Sequence, residues 1–294
     1  MRAFVTGGYG FVGTWLRAHL EEEGDEVVAP PTGFDVTDPA GVRKAMAEAA
    51  PEAVYHVAGL AHVGRSWDEP EEFFRVNAEG TMHVLRAAHL CDPVPRVLLI
   101  SSAEVYGNVA PAQLPLGEEA PLRPVSPYAA SKAAAELVGL QAYLGYGVPV
   151  IRARPFNHAG PGQDASFVVP ALAARIVAAQ AGGGGVLRVG NLSPRRDITD
   201  VRDVVRAYRL LMDKGEPGEV YNVCSGRDVA IEQLVRRMLA LAGADLKLDP
   251  DPELMRPADV PVLRGDPLRL RTATGWQPQI PLGSTLRAVL DSIR

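Results

Sequence analysis

The sequence predicts an α/β fold in which a doubly wound parallel sheet is followed by a smaller C-terminal domain. Two observations carry this prediction. Short apolar runs alternate with helical patterns through the first half of the chain, and such alternation is typical of crossover units in a parallel sheet. The run RVLLIS at 96–101 is too apolar for a strand with one face in water, which indicates that helices cover both faces of the sheet.

The elements follow the periodicity of apolar residues along the chain. The predicted strands, which are short apolar runs, cover 2–6, 27–29, 54–57, 96–101, 148–152, 186–189 and 219–224. The predicted helices, which have apolar residues at helical spacing, cover 11–23, 72–89, 127–146, 168–181 and 231–241. The segment 249–267 is rich in proline and aspartate, which predicts a loop with short strands.

Composition and charge exclude several classes of protein. The chain has 294 residues with 30 basic and 35 acidic side chains, a net charge of −5, whereas nucleic-acid-binding proteins are usually basic. No apolar run approaches the roughly 18 residues that a spanning helix needs, and strand 2–6 leaves no room for a signal peptide. Cys91 and Cys224 lie far apart without metal-ligand spacing. We therefore expect a cytoplasmic protein with no metal site and no nucleic-acid or membrane partner.

A glycine-rich turn opens the chain between the first strand and the first helix. In TGGYGFVG, Gly8, Gly10 and Gly13 match the pattern G-x-G-x-x-G, and Gly7, Gly10 and Gly13 match G-x-x-G-x-x-G. Glycines at this spacing allow a tight turn, a close approach of backbone to a pyrophosphate at the helix N-terminus, and close packing of helix on strand. The turn therefore predicts a dinucleotide site of Rossmann type.

The chain divides into two predicted parts. Residues 1–155 plus about 198–224 are expected to form the dinucleotide-binding domain, because most of the alternating strands and helices lie there. Residues 156–197 plus 225–294 are expected to form a smaller domain that binds the substrate.

The residues that select between NAD and NADP are missing from their usual place. The segment VVAPPT at 27–32 carries neither a carboxylate for a ribose diol nor an arginine for a 2′-phosphate. Asp35 follows just beyond this place, which favours a contact with the adenine over a ribose clamp. The predicted cofactor is therefore NADP or NAD, and the absent carboxylate favours NADP.

Tyr128 and Lys132 form a Y-x-x-x-K pattern within the predicted helix 127–146. Side chains four residues apart lie on the same face of a helix, and a nearby ammonium group favours the phenolate form of a tyrosine. The pair therefore suits acid–base chemistry near neutral pH.

Six segments, in this order, resemble the extended short-chain dehydrogenase/reductase family of NAD-dependent epimerases and dehydratases. They are TGGYGFVG, DVTD at 35–38, HVAG at 56–59, SSAEVYG at 101–107, YAASK at 128–132 and GWQP at 275–278. Three further segments resemble the branch acting on GDP-deoxyhexoses, closest to its GDP-4-dehydro-6-deoxy-D-mannose reductases, with GDP-mannose 4,6-dehydratases as near relatives. They are RPFNHAGPGQ at 154–163, VGNLSPRRDITDVRDVVRAY at 189–208 and MRPADVP at 255–261.

The resemblance implies a role for each matching residue. Tyr128 would act as general acid toward the 4-keto oxygen of a sugar, Ser102 would hydrogen-bond the same oxygen, and Lys132 would lower the pKa of Tyr128 and hold the nicotinamide ribose. Glu104 is a fourth catalytic candidate, and Asn77 would brace the active-site strand. The implied cofactor contacts are Gly7, Gly10, Phe11, Val12, Gly13, Asp35, Val36, Ala58, Tyr128, Lys132 and Pro155. The implied substrate contacts are Asn157, Val189, Asn191, Arg196, Arg256 and Asp259.

The segment 102–104 separates two activities within this branch. A 4,6-dehydratase needs an additional acid and an additional base, and family dehydratases have a polar residue where this chain has Ala103. The resemblance therefore favours an NAD(P)H-dependent reductase of a GDP-4-keto-6-deoxyhexose, with Arg196 and Arg256 on the diphosphate. Because Glu104 is present, a dehydratase stays an alternative prediction. A nucleotide-sugar epimerase and a non-catalytic dinucleotide-sensing protein on the same fold also stay open.

The helices over 72–89 and 127–146 also predict an assembly. Both have small and apolar residues on more than one face. Examples are Ala129, Ala133, Leu137 and Leu140. Because a helix that is apolar on more than one face needs a second partner, we expect a homodimer.

Overall fold

A parallel sheet of six strands forms the centre of the fold, in a computed structural model that describes residues 1–254 and 260–293. The strands are β1 (Arg2–Thr6), β2 (Glu26–Val28), β3 (Ala53–His56), β4 (Arg96–Ile100), β5 (Val150–Pro155), β6 (Asn157–Ala159), β7 (Val186–Val189), β8 (Arg195–Asp200), β9 (Val220–Val223), β10 (Asp228–Ala230), β11 (Lys247–Pro250) and β12 (Val262–Leu263). The central sheet has the order β2-β1-β3-β4-β5-β9, and every neighbouring pair in it is parallel.

Helices cover both faces of this sheet. The α-helices are α1 (Phe11–Glu22), α2 (Pro39–Ala49), α3 (Pro70–Phe74), α4 (Gly80–His89), α5 (Pro127–Tyr146), α6 (Val168–Ala181), α7 (Val201–Lys214), α8 (Ile231–Ala242), α9 (Leu268–Thr274) and α10 (Leu282–Ile293). Successive strand residues point to opposite faces, so Val5 and Leu98 pack with α1 and α7. Phe4 and Leu99 pack with α2, α4 and α5. The predicted doubly wound parallel fold is confirmed.

The start and end of α5 show how local sequence fixes an element near the site. The Ser126 hydroxyl accepts a hydrogen bond from the backbone N–H of Ala129 at 3.1 Å, and Pro127 occupies the first helical position. Both features are typical of a helix N-terminus. Gly147 ends the helix at φ +71°, a conformation that costs glycine little. The helix therefore covers 127–146, as predicted.

Between α3 and α4 the chain forms one π-helical turn, Arg75–Glu79. The three pieces follow one another without a break from Pro70 to His89. The predicted helix over 72–89 is therefore present but irregular, and π-turns within helices are frequent at functional sites.

The second part of the fold has its own small sheets and its own core. β8 pairs with β10, β12 and β6, while β7 pairs with β11. A cluster of buried apolar residues lies among these strands and α6, α8 and α10. Leu270 and Trp276, which fall within the predicted substrate domain, instead pack in the core of the central sheet. The segment around Leu270 and Trp276 therefore packs with the first part of the fold and not with the second.

Several elements escaped sequence prediction for identifiable reasons. They are α2, α7, α9, α10, β6, β8 and β10. β8 buries four polar or charged residues, which hide the apolar pattern of a strand. α2 buries only Val42, Met46 and Ala49, so its apolar stripe is narrow. In the described part of the chain, no helix is long and apolar enough to cross a membrane.

Candidate active site

A cavity of about 650 Å³ lies beside the carboxyl ends of the central strands and extends toward the second part of the fold. Most of the predicted site residues meet there. Those on its wall are Gly7, Gly10, Phe11, Val12, Gly13, Ala58, Ser102, Glu104, Tyr128, Lys132, Pro155, Asn157, Val189, Asn191 and Arg196. Carboxyl ends of parallel strands are the usual place for ligands in open α/β sheets. Arg256 and Asp259 lie outside the described residues.

Asp35 and Val36 are the two predicted cofactor contacts that do not line the cavity. The exposed carboxylate of Asp35 accepts hydrogen bonds from the backbone N–H and the hydroxyl of Thr37, at 2.8 and 2.7 Å. These bonds lower the pKa of Asp35 below its usual value. Val36 is buried, and its side chain lies against Gly80. Their contact with a cofactor stays a prediction.

The glycine turn fits a dinucleotide pyrophosphate. Gly7 has φ +69°, and a methyl group on it would lie 2.7 Å from the backbone nitrogen of Ala58. A methyl group on Gly13 would overlap the carbonyl oxygen of Gly7 and lie 2.7 Å from Cα of Gly8. The absence of side chains therefore allows the N-terminus of α1 to lie close to the end of β1, the arrangement that suits a pyrophosphate at a helix N-terminus.

Ser102, Tyr128 and Lys132 lie together on the cavity wall. Ser102 follows β4, and its hydroxyl oxygen accepts a hydrogen bond from the backbone N–H of Glu104 at 3.2 Å. Tyr128 and Lys132 come from the first turns of α5, and each is only 7% exposed. The Lys132 ammonium group donates to the carbonyl oxygen of Ile100 at 2.9 Å. The Y-x-x-x-K pattern and the serine thus form one cluster, as the sequence predicts.

Burial shifts the pKa values of both Tyr128 and Lys132. Burial raises the pKa of Tyr128 to about 12, although a hydrogen bond with Ser102 opposes the rise. Burial lowers the pKa of Lys132 to about 8, and the Glu136 carboxylate opposes that change. Desolvation of the phenol dominates here, and the role of Lys132 in lowering the pKa of Tyr128 stays a prediction. Tyr128 is therefore protonated at neutral pH, the state that a general acid requires.

Asn77, in the π-helical turn, connects the loop after β3 to α5. Its Oδ1 accepts from the backbone N–H of Leu60 at 2.9 Å, and its Nδ2 donates to the Leu60 carbonyl and to the Ser131 hydroxyl at 3.1 and 2.9 Å. Asn77 thus ties the loop that follows β3 to α5, and its bracing of the active-site strand stays a prediction.

His56 extends the same support beneath the cavity. The Thr81 hydroxyl donates to the carbonyl of Asn77, so it accepts from Nε2 of His56 at 3.0 Å. Nδ1 of His56 then accepts from the Thr6 hydroxyl at 2.8 Å, and Thr6 in turn accepts from the N–H of Ala58. Burial lowers the pKa of His56 to about 3. A neutral histidine therefore satisfies every polar group in this series of hydrogen bonds.

A buried ion pair that sequence reasoning missed lies next to the catalytic cluster. Glu136, one helical turn after Lys132, accepts from Nη2 and Nε of Arg154 at 2.7 and 2.8 Å and from the hydroxyl of Ser101. Arg154 also donates to the Tyr106 hydroxyl at 2.9 Å. The spacing of Glu136 four residues after Lys132 was the available signal. Glu136 therefore links Ser101, which directly precedes Ser102, with Arg154, which directly precedes Pro155.

The far end of the cavity is largely apolar, and among the described residues it carries two arginines, Arg196 and Arg175. Arg196 is buried, and its Nη1 donates to the carbonyl oxygens of Arg195 and Val260 at 3.0 and 2.6 Å. Arg175 also lines the cavity, from α6, and makes no hydrogen bond or ion pair within the described chain. Sequence reasoning missed Arg175, although it is the only charged residue in VVPALAARIVAAQA. A guanidinium group on an apolar wall is suited to a polar ligand.

Among the described residues, no group of three His, Cys, Asp or Glu side chains is arranged to hold a metal ion. The cavity wall brings together a glycine turn, a serine, a tyrosine and a lysine. These features, on this fold, define an NAD(P)-dependent oxidoreductase of the short-chain dehydrogenase/reductase class. Within that class, the chain belongs to the GDP-mannose 4,6 dehydratase family, whose model matches residues 32–289.

Several known proteins are similar to this chain. A GDP-6-deoxy-D-mannose reductase from Pseudomonas aeruginosa is 40% identical over 293 residues, which cover 99% of this chain and 96% of that protein. The structure of RMD from Pseudomonas aeruginosa complexed with NADPH superimposes with a TM-score of 0.90 and covers 99% of this chain and 97% of its own. The Thermus thermophilus UDP-glucose 4-epimerase structure with NAD gives a TM-score of 0.89 at 29% identity, over 100% of this chain and 99% of its own.

Proposed function

We propose that the protein reduces the 4-keto group of a GDP-4-keto-6-deoxyhexose with NAD(P)H and forms a GDP-6-deoxyhexose of the GDP-rhamnose type. The observation that carries this proposal is the cluster of Ser102, Tyr128 and Lys132 on one cavity wall, with apolar Ala103 beside it. The similarity to a protein named GDP-6-deoxy-D-mannose reductase supports the same substrate class.

In the proposed reaction the cluster handles one proton. The reduced dinucleotide, when bound, supplies a hydride to the carbonyl carbon. Tyr128 donates its phenolic proton to the carbonyl oxygen, and the Ser102 hydroxyl holds that oxygen by a hydrogen bond. Lys132 binds the hydroxyls of the nicotinamide ribose. Pro155 ends β5 and Asn157 begins β6, and both line the cavity where cofactor and sugar would meet.

The alternative function is that of a GDP-mannose 4,6-dehydratase. Glu104 lines the cavity, and its presence there favours this alternative. That reaction also needs a proton-handling side chain beside Glu104. Ala103 stands there instead, 1% exposed and packed with Val105, Tyr106 and Phe156. An apolar, buried position supplies neither acid nor base, which favours the reductase.

A direct assay separates the two activities. We expect the enzyme to oxidise one NADPH for each GDP-4-keto-6-deoxymannose consumed, measured by loss of absorbance at about 340 nm. Conversion of GDP-mannose to the keto sugar without net cofactor oxidation would establish the dehydratase instead. Equilibration of two nucleotide sugars with retained NAD would indicate an epimerase. Binding of the dinucleotide with no turnover of any of these substrates would indicate a sensing protein.

Arg175 provides a test of the nucleotide. We propose that its guanidinium group binds the guanine base, because guanine presents two adjacent acceptors, O6 and N7, that match the guanidinium fork. Arg175→Ala should weaken GDP binding by about tenfold and change UDP binding little. Isothermal titration calorimetry of both nucleotides measures this, with exposed Arg237→Ala as the matched control. Equal loss for GDP and UDP would place Arg175 on the phosphates.

The pKa of Lys132 predicts a pH dependence. Since that pKa is about 8, Lys132 loses its positive charge as the pH rises through this value, and we expect kcat/KM to fall above about pH 8. Tyr128, with a pKa of about 12, stays protonated there. In Lys132→Arg, whose guanidinium group keeps its proton, the residual activity should lack this alkaline limb. A limb at the same pH in both proteins would assign it to another group.

The proposal extends to organisation and location. The two-domain division at 1–155 plus about 198–224 and 156–197 plus 225–294 is kept, except that the segment around Leu270 and Trp276 is assigned to the central sheet. We place the protein in the cytoplasm, where free thiols such as those of Cys91 and Cys224 persist. The proposal includes no nucleic-acid or membrane partner.

A homodimer is proposed through the helical segment 70–89 and α5. Ala129 and Ala133 are buried within the chain, whereas Leu137 is 60% exposed. Phe74, Met82 and Leu144 are exposed on the same two helical segments. Light scattering after size exclusion should give about twice the chain mass of 31.4 kDa. Leu137→Asp should shift this value to the monomer.

A further inference from the structure

The place where a dinucleotide fold distinguishes NAD from NADP has an unusual composition here. In such folds the 2′ position of the adenosine ribose lies near the end of the second strand, where a carboxylate serves NAD or a nearby arginine serves the 2′-phosphate of NADP. Ala29 directly follows β2, and the next residues are Pro30, Pro31 and Thr32. The local segment therefore supplies no charge, and any selecting group must come from another element.

Arg17, on α1, lies beside this place. A methyl group on Gly8 would lie 2.8 Å from Cβ of Ala29 and 3.0 Å from Cδ of Arg17. The two side chains therefore flank the same glycine of the dinucleotide turn. Arg17 and Ala29 are twelve residues apart in the chain. The packing of α1 over β1 brings them close together in space.

The guanidinium group of Arg17 is only weakly engaged by the protein. Its Nε is buried without a hydrogen-bond partner. Its nearest carboxylate, Glu21, is 57% exposed and 4.0 Å from Nη2, a distance at which a solvated pair contributes little. The guanidinium carbon lies 4.5 Å from the centroid of the Tyr9 ring, so the ring holds the cation next to the glycine turn.

We propose that Arg17 binds the 2′-phosphate of NADP and makes the enzyme select NADPH over NADH. The guanidinium fork matches a phosphate with two parallel hydrogen bonds. No carboxylate in 29–34 repels the phosphate or binds a ribose diol in its place. This inference rests on the proposed dinucleotide site, and it assigns to that site a residue that is remote from β2 in sequence.

Direct binding of the two reduced dinucleotides tests the inference. NADPH and NADH fluorescence titrations of Arg17→Gln should show NADPH binding weakened by about 10- to 100-fold and NADH binding changed less than about twofold. Arg17→Lys should retain part of the NADPH preference, because it keeps the charge but loses the fork. Exposed Arg237→Gln, on α8, is the control for loss of a positive charge elsewhere.

Three outcomes would overturn the inference. Equal weakening of NADPH and NADH in Arg17→Gln would mean that Arg17 only supports the turn. Unchanged NADPH binding would place the 2′-phosphate on other residues, and a wild-type preference for NADH would remove the premise. These titrations contain no sugar nucleotide, so their result is separate from the proposed reduction. Failure of the keto-sugar assay with intact NADPH selectivity would reject the substrate and leave the role of Arg17 standing.

Discussion

Tyr128→Phe should lower kcat for the keto-sugar nucleotide by about a thousandfold. The substitution removes the only proton that the proposed reaction takes from the protein. It keeps the aromatic ring, which packs edge-on against Phe73 with centroids 6.3 Å apart. We therefore expect the thermal midpoint and the binding of NADPH to stay close to those of the wild type, so that the loss falls on the chemical step.

Tyr55→Phe is the matched control for this experiment. Tyr55, in β3, is likewise a buried tyrosine, and its hydroxyl has no hydrogen-bond partner in the described structure. Loss of an unpaired buried hydroxyl should leave kcat unchanged and stability equal or slightly higher. If Tyr128→Phe keeps more than a tenth of the wild-type kcat, the proton comes from another group, and Tyr128 loses its assignment as general acid.

Gly13→Ala should weaken NADPH binding by about 100-fold and lower the thermal midpoint by several degrees. The added methyl group would overlap the carbonyl oxygen of Gly7 and crowd Cα of Gly8. Both neighbours are backbone atoms of the turn that approaches the cofactor, so they can move only by opening that turn. The effect should appear in a titration of NADPH without substrate.

Gly283→Ala provides the comparison. It makes the same chemical change near the start of a helix, α10, where an added methyl group meets nothing within 4 Å. There alanine should stabilise the protein slightly, because it restricts the unfolded chain, and NADPH binding should not change. If Gly13→Ala binds NADPH as the wild type does, the glycine turn is not the pyrophosphate site.

The sequence predicted the central sheet well because its strands are buried on both faces. The run 97–100 within β4 has no polar residue, and α5 has a serine cap and a terminal glycine that mark its ends. β8 was missed for the opposite reason. Asp197 and Asp200 are almost fully buried in it, and their carboxylates accept hydrogen bonds from Ser225 and Thr285. Partners that are distant in the chain satisfy these buried carboxylates, and a local sequence pattern does not predict such partners.

The site was predictable where its residues lie in short motifs. The glycine turn and the Y-x-x-x-K pattern are each formed within one element and its neighbour, so spacing alone brings the groups together. Arg17, Arg175 and the pair Glu136–Arg154 depend on which helix packs over which strand. The raised pKa of Tyr128 likewise depends on burial, which spacing does not report.

The π-helical turn at 75–79 fixes the length of its helix. A π-turn holds more residues than an α-turn, and each residue removed would rotate the following helix by about 100°. Phe73, before the turn, and Val84, after it, are both fully buried, so a one-residue deletion would turn one of them outward. It would also swing the Asn77 amide away from Leu60 and Ser131. We therefore expect insertions and deletions in this stretch to destabilise the fold, although the segment 70–89 also has an exposed surface.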